Sequence, residues 1–210
     1  MDIHKNYEAQ NAEQSIAEHD PFTLERYEQF QRFLPEGPIH VLDIGCNTGR
    51  GGARLKAISP QIRLSGLDCV QSRLDALPAC YEGRIYGLSN SIPEPDQTFD
   101  AIVAGEFLEH LYPSDVDTTL CECQRVLKIG GMLLMTTPNP GYLKNLLAGQ
   151  TVFATSHLTQ HHHGVLKHRL LMHGFSRVRV LGSGKMTRYI GSRFPLLNLY
   201  GSYLITARKI

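Results

Sequence analysis

Apolar positions along the chain change their period several times, and each change marks an element. Residues 4–19 are polar and read as an arm with helical character. Asp20 then offers an N-cap and Pro21 a first-turn proline, with Leu24, Tyr27, Phe30 and Leu34 following at helical spacing. That pattern predicts a helix over 21–34 with one buried stripe, stopped by Pro35-Glu36-Gly37-Pro38. Short apolar runs and helical stretches alternate from there. His40–Ile44, Ile62–Leu67, Arg84–Tyr86, Phe99–Ala104 and Met132–Thr136 read as strands. Helices are expected over about 49–57 and 71–77, and a third is marked by Val116, Leu120 and Leu127 and closed by Gly130. Strands that are apolar throughout, alternating with helices, predict a parallel α/β sheet, buried on both faces. The pattern loosens after Pro138. A mixed segment spans 139–160, a helix 161–173 stopped by Gly174, and strands Ser176–Leu181 and Leu204–Ala207 flank a mixed 182–200.

The chain has 210 residues, which suits one domain. An apolar share of 42% and a charged share of 20% exclude disordered and fibrous classes. The net charge of +1 conceals a division. All 20 acidic residues fall in 1–122 with nine basic ones, a net −11, while 123–210 hold twelve basic residues and no acid, a net +12. Such asymmetry points to a partner or substrate with a charge preference. The start MDIHKNYEAQ has neither the basic nor the apolar region of a signal peptide. The cysteines (46, 69, 80, 121 and 123) are odd in number and lack disulfide-scaffold spacing, so reduced thiols in a cytoplasmic protein are expected. Cys121 and Cys123 would face different directions on a helix, a poor metal pair.

The strongest motif runs from Val41 to Gly51: an apolar strand, then a turn with Gly45, Cys46, Asn47 and Gly49 opening a helix. Glycine permits positive φ and close approach of a ligand, and Asn47 tolerates the same region. Ligands of open α/β sheets sit just past the carboxyl ends of the strands. Asp68, 23 residues beyond Gly45, ends the second strand, where a carboxylate accepts hydrogen bonds from both hydroxyls of a ribose. The glycine spacing G-x-x-x-G-x-G departs from the dinucleotide fingerprint, which disfavours nicotinamide chemistry. Asp43, just before the turn, would repel a pyrophosphate and suit a cationic ligand such as S-adenosylmethionine.

DIGCNTG, GLDCV, LSNSIPEPDQTFDAIVAGEFLEH and RVLKIGGMLLMTTPNP follow in that order. This series resembles the successive motifs of class I S-adenosylmethionine-dependent methyltransferases, nearest to the type that includes the quinone-biosynthesis and other small-molecule O-methyltransferases. The likeness covers about 38–140. It implies a Rossmann-like, doubly wound sheet of seven strands, mostly parallel with an antiparallel final strand, and helices on both faces. It also implies that Gly45, Cys46, Asn47 and Gly49 line the methionine moiety with Asp43 near its amino group. Asp68 would hold the ribose, Cys69 lie along the adenine, and Ser89 and Asn90 border its edge. Ala104 and Gly105 would flank the sulfonium. The domain then divides into an arm (1–37), a cofactor-binding core (38–138) and substrate-capping segments (139–210).

Methyl transfer needs in-line placement of the acceptor, and a hydroxyl acceptor benefits from a base or a metal. His110 lies near the end of the fourth strand and is the candidate base. If 106–110 form one helical turn, Glu106, Glu109 and His110 share a face and could bind a divalent cation. This resembles the Glu-x-x-Glu-His site of small-RNA 2′-O-methyltransferases, with His157 as the implied fourth ligand. His161, His162 and His163 read as a solvated helix face. His4, His19 and His40 read as structural or exposed, and His168 and His173 as helix residues without chemistry.

Lys185, Arg188 and Arg193 alternate with Met186, Tyr189, Ile190, Phe194, Leu196, Leu197 and Tyr200 in the acid-free half. Basic and large apolar groups together suit an anionic amphiphile or a membrane surface. They also suit nucleic acid, less well, and the plain reading is that the basic half packs on the acidic half. The expected activity is O-methylation of a small, lipid-linked or glycan acceptor, releasing S-adenosylhomocysteine. Two other readings stay open: metal-dependent 2′-O-methylation of RNA, and a cofactor-binding subunit without chemistry.

Overall fold

The computed structural model describes residues 3–12, 20–153 and 156–210. The side chain of His4, and His19, lie outside what is described. Helices α1 (Ile3–Ala12) and α2 (Thr23–Gln31) precede strand β1 (His40–Ile44). Then come α3 (Arg50–Ile58), β2 (Arg63–Asp68), α4 (Gln71–Asp75), β3 (Gly83–Tyr86) and β4 (Phe99–Gly105). A 3-10 turn over Leu108–His110 leads to α5 (Pro113–Val126) and β5 (Leu127–Pro138). The chain continues through α6 (Leu143–Leu147), α7 (His163–Met172), β6 (Phe175–Ser183), α8 (Thr187–Ile190), a turn at Leu197–Leu199 and β7 (Ser202–Lys209).

Seven strands form one sheet in the order β3-β2-β1-β4-β5-β7-β6. Pairings from β3 to β5 are parallel, and β7 runs antiparallel to both β5 and β6. Strand residues alternate between two apolar layers. Val41, Val103 and Leu134 join Tyr27 and Phe30 of α2 and Leu55 of α3 on one face. Leu42, Ile44, Ile102 and Leu133 join Val116 and Leu120 of α5 and Leu166 and Leu170 of α7 on the other. Burial on both faces explains why these strands read as unbroken apolar runs.

Several element ends differ from the sequence pattern. Asp20 sits two residues outside the N-cap, which is Phe22, yet its carboxylate still accepts from the Phe22 N–H at 3.0 Å and the Thr23 hydroxyl at 3.2 Å. The helix that begins at Pro113 stops at Val126, not Gly130. Leu127 turns extended and pairs with Phe99, so contact with β4 converts the end of the apparent helix into strand. Residues 106–110 are not one helical turn either. Glu106 has φ of +50°, and only Leu108–His110 coil, as a 3-10 turn.

Candidate active site

The strand order reverses direction between β1 and β4, the switch point at which open α/β sheets bind ligands. A cavity of about 350 Å³ opens there. Its floor is the turn after β1. Gly45 has φ of +67° and its face is covered by the Phe107 ring, where an added Cβ would meet Phe107 Cδ2 at 2.6 Å. Asn47 has φ of +50°, the conformation its side chain tolerates. The N–H groups of Gly45 and Cys46 both donate to the Leu67 carbonyl, at 2.9 and 3.2 Å, which locks the turn against β2.

Asp68, at the end of β2, is buried and lines the cavity. Its two oxygens accept from the backbone N–H groups of Asn47 at 3.0 Å and Val70 at 2.9 Å, and Arg73 lies 3.7 Å away. Burial raises its pKa, while Arg73 and the N–H donors oppose that. Each oxygen keeps a second lone pair, the capacity a pair of ribose hydroxyls requires.

Of the residues expected to hold a cofactor, Gly45, Cys46, Asn47, Asp68, Cys69, Ser89, Asn90 and Gly105 line this one cavity. Asp43, Gly49 and Ala104 do not. Asp43 is wholly buried behind the turn, accepting from the Tyr27 and Tyr81 hydroxyls at 2.5 Å each. Burial pushes its carboxyl up to about 7 despite those two donors. Gly49, with φ of +76°, caps α3 and backs onto Leu77 and Pro78, and Ala104 is buried in the sheet.

Residues that the sequence reading passed over complete the walls. Tyr7 of α1 donates to Asp115 at 2.7 Å and accepts from the Tyr112 N–H at 2.8 Å, which lays α1 along the cavity. Arg73 reaches the Asn11 carbonyl of the same helix. Arg26 of α2 pairs with Asp20 at 2.5 Å and lies 3.4 Å from Glu106. Tyr27, also in the wall, did carry a sequence signal, its place in the buried stripe of α2. The others depend on which surfaces meet.

The polar group at the cavity mouth is built by β4, the 3-10 turn and the segment after β5. Leu158 and Thr159 donate their N–H groups to the Glu109 carbonyl, at 2.7 and 3.1 Å, which docks that segment on the turn. His157 thereby meets His110, with ring centroids 5.0 Å apart. His110 Nδ1 lies 2.9 Å from the Ser156 carbonyl and His157 Nδ1 2.6 Å from the Val152 carbonyl. A carbonyl only accepts, so each Nδ1 carries a proton, and in the neutral ring Nε2 then keeps the lone pair. Burial lowers His110 to about 4, and the neighbouring His157 adds to this. Glu109 is buried, accepts from the Thr137 hydroxyl at 3.1 Å through Oε2, and leaves Oε1 without a partner among the described residues. Burial, then the charge of Glu106, pushes its pKa well up.

Glu109, His110 and His157 thus offer ligand atoms within 4.8 Å of one another. Glu106, expected as a ligand beside Glu109 and His110, stands apart from them. Its positive φ turns the side chain toward Arg26 and Ser202, whose hydroxyl donates to it at 3.3 Å.

The other histidines also sort by environment. His161 is buried and bonded to the Thr159 hydroxyl at 2.9 Å, a correction to its reading as solvated, whereas His162 and His163 are exposed. His40 contacts Ser65 and packs its ring at a tilt against Phe99, a structural place. His168 is exposed, and His173 bridges Asp117 and Cys121 at the surface. Cys121 is exposed and Cys123 buried, so the two do face different ways.

Residues 42–135 match the family described as "Methyltransferase domain". The malonyl-[acyl-carrier protein] O-methyltransferase 1 of Coxiella burnetii is 33% identical over 129 residues, 61% of this chain and 43% of that protein. The human mitochondrial ubiquinone biosynthesis O-methyltransferase is 36% identical over 117 residues, 52% of this chain and 31% of that one. The chain therefore spans less than half the length of these relatives. Among solved structures, an S-adenosylmethionine-dependent methyltransferase from Archaeoglobus fulgidus superposes with a TM-score of 0.70 at 22% identity, covering 89% of this chain and 92% of that one. A [4+2]-cyclase superposes with a TM-score of 0.67 at 19% identity over 89% and 81%, so the fold by itself fixes no reaction. Sequence match, motif order and sheet topology agree in making residues 42–135 similar to a methyltransferase domain.

Proposed function

We propose that this protein transfers a methyl group from S-adenosylmethionine to an oxygen of a small, lipid-linked or glycan acceptor. The observation that carries this reading is the Asp68 carboxylate facing the switch-point cavity beside the Gly45–Asn47 turn. Asp68 would accept from the ribose hydroxyls, Cys69, Ser89 and Asn90 would border the base, and Gly105 would flank the sulfonium. The acidic groups Asp20 and Glu106 beside Arg26 suit a ligand end that carries both an ammonium and a carboxylate. Asp43 supports the turn from behind through Tyr27 and Tyr81 and does not meet the ligand. When bound, the cofactor supplies a methyl group on a cationic sulfonium, open to in-line attack by the acceptor. His110 Nε2, unprotonated and facing the cavity, takes the acceptor's hydroxyl proton.

The relatives named as O-methyltransferases support oxygen as the methylated atom and acyl-carrier or quinone-type molecules as the class of acceptor. The cysteine pattern supports a cytoplasmic setting. No helix among the described residues is long and apolar enough to cross a membrane.

A calorimetric titration with S-adenosylhomocysteine tests the cofactor site. Micromolar binding is expected, and no heat of binding at any concentration would refute the reading.

One observation favours a second account of the mouth. Glu109 Oε1 is buried without a partner among the described residues and shares its surroundings with the lone pairs of His110 and His157. One oxygen and two imidazole nitrogens suit a transition-metal dication better than magnesium. Both imidazoles already donate Nδ1–H to carbonyls, the usual outer support of metal-ligating histidines. In this account Glu109, His110 and His157 hold the cation, which would polarise the acceptor oxygen, and Glu106 takes no part. Chelation separates the two: with EDTA the base mechanism keeps its rate and the metal mechanism loses it.

A further inference from the structure

Helix α6 carries Leu143, Leu146 and Leu147 at 40%, 56% and 80% exposure. Phe194 and Leu196, in the segment before β7, are likewise open at 40% and 54%. Helix α6 and the chain leading to β7 meet at one groove, and Phe194 and Leu196 stand just before its Asn198 wall in the sequence. A groove of Tyr142, Leu143 and Leu147 on one side meets Met186, Asn198 and Leu199 on the other.

This surface is tied to the cavity mouth. The Asn139 side chain donates to the Leu197 and Tyr200 carbonyls at 2.8 Å each, and Ser202 donates to Glu106. Its charge is one-sided. Lys144, Lys185 and Arg193 are exposed around it and form no ion pair among the described residues, and residues 123–210 contain no acid. Arg188, next to them, is paired with Glu25.

We infer that this face docks on an anionic lipid–water interface. Its leucines and Phe194 would enter the acyl boundary and Lys144, Lys185 and Arg193 would meet the headgroups. An apolar patch with unpaired cations at its rim is costly in water and complementary to a negatively charged bilayer surface. The orientation sets the cavity mouth at the interface, where an amphiphilic acceptor keeps its tail in lipid while its hydroxyl reaches His110. Only this last step rests on the proposed methyl transfer; docking itself needs no cofactor.

Co-sedimentation of the full chain with vesicles tests it. Binding is expected to vesicles containing phosphatidylglycerol, at least tenfold weaker to pure phosphatidylcholine, and weakened by salt. The double variants L146S/L147S and F194S/L196S should each lower binding roughly tenfold or more, through lost apolar burial. K144E/K185E should lower it by a similar factor. All are surface positions, and unchanged S-adenosylhomocysteine titration would certify the fold of each variant. Three results would overturn the proposal: no binding to anionic vesicles at low salt, equal binding to neutral ones, or unaltered binding by the leucine variants. A dimer in light scattering that the same variants dissociate would assign the face to a second copy and overturn it as well. Vesicle binding with no S-adenosylhomocysteine binding would sink the methyl-transfer reading and leave the docking face standing.

Discussion

The floor beneath the switch-point cavity and the face beside its mouth are built on opposite terms. Beneath the turn after β1, small residues allow large polar rings to enter the core. Gly51 lies under the Tyr27 ring and Gly52 under the Tyr81 hydroxyl, and both tyrosines converge on Asp43. Both oxygens of the Asp43 carboxylate are paired, and the carboxylate is fully buried. The face of α6 and the segment before β7 leaves leucines and cations in the open. One region fixes a geometry and the other keeps a surface available. Fixing a ligand requires a pre-formed shape, because an ångström of misplacement weakens every hydrogen bond to it. Receiving an interface requires area and sign of charge, which tolerate much looser packing.

The comparison breaks most readily at Gly52. A valine there drives its Cβ into the Tyr81 hydroxyl and to 2.9 Å from Asp43 Oδ2. Overpacking together with a lost hydrogen bond at a buried carboxylate should cost about 3 kcal/mol or more, read as a large fall in the urea midpoint or loss of folded protein. A Gly52→Val protein of unaltered stability would show that the floor is soft.

A smaller loss is expected at Asp68. The alanine variant removes a charged acceptor from the cavity, so S-adenosylhomocysteine affinity should fall about 10- to 100-fold by calorimetry. Unchanged affinity would remove Asp68 from the ribose site.

The buried carboxylate of Asp43 sharpens the picture through pH. Its folded pKa of about 7 stands above the ordinary 3.8, so between those values the folded protein holds a proton that the unfolded chain has released. Stability from this group is therefore greatest at low pH and declines as pH rises toward 7. Urea midpoints at pH 5 and pH 8 should differ less in Asp43→Asn than in the parent protein. An equal difference in both would mean that Asp43 stays ionised.

Leu147 should show the least effect. At 80% exposure its replacement by serine should change stability by no more than about 0.5 kcal/mol. A larger loss would mean that α6 contributes to the fold as well as to the surface.

The charge division reads differently once the fold is seen. Arg125, Lys128, Arg169 and Arg188 do pair with acids of the first half, as the packing account predicts. Lys144, Lys185 and Arg193 remain at the surface beside the mouth. The packing account thus covers part of the acid-free segment, and the rest is what the proposed docking face draws on.

What the sequence determined by itself is the local grammar. The apolar run from His40 to Ile44, the Gly45 turn, and Asp68 at the end of β2 are contiguous signals, because strand burial and backbone sterics act over a few residues. Their spacing was enough to point to the cavity at the switch point. Tertiary structure decided everything that depends on two distant segments meeting. It took Leu127 from a helix into β5 by pairing it with Phe99. The positive φ of Glu106 removed that residue from the cluster its spacing implied, and docking of 156–160 on the Glu109 carbonyl brought His157 to His110. Asp43 shows the same limit. An acid before a glycine turn reads as a ligand group, but its partners are Tyr27 and Tyr81, 16 and 38 residues away, and they hold it inside the protein. A carboxylate has the same chemistry in both settings, and its role follows from the direction it faces, which only the packing of the whole sheet determines.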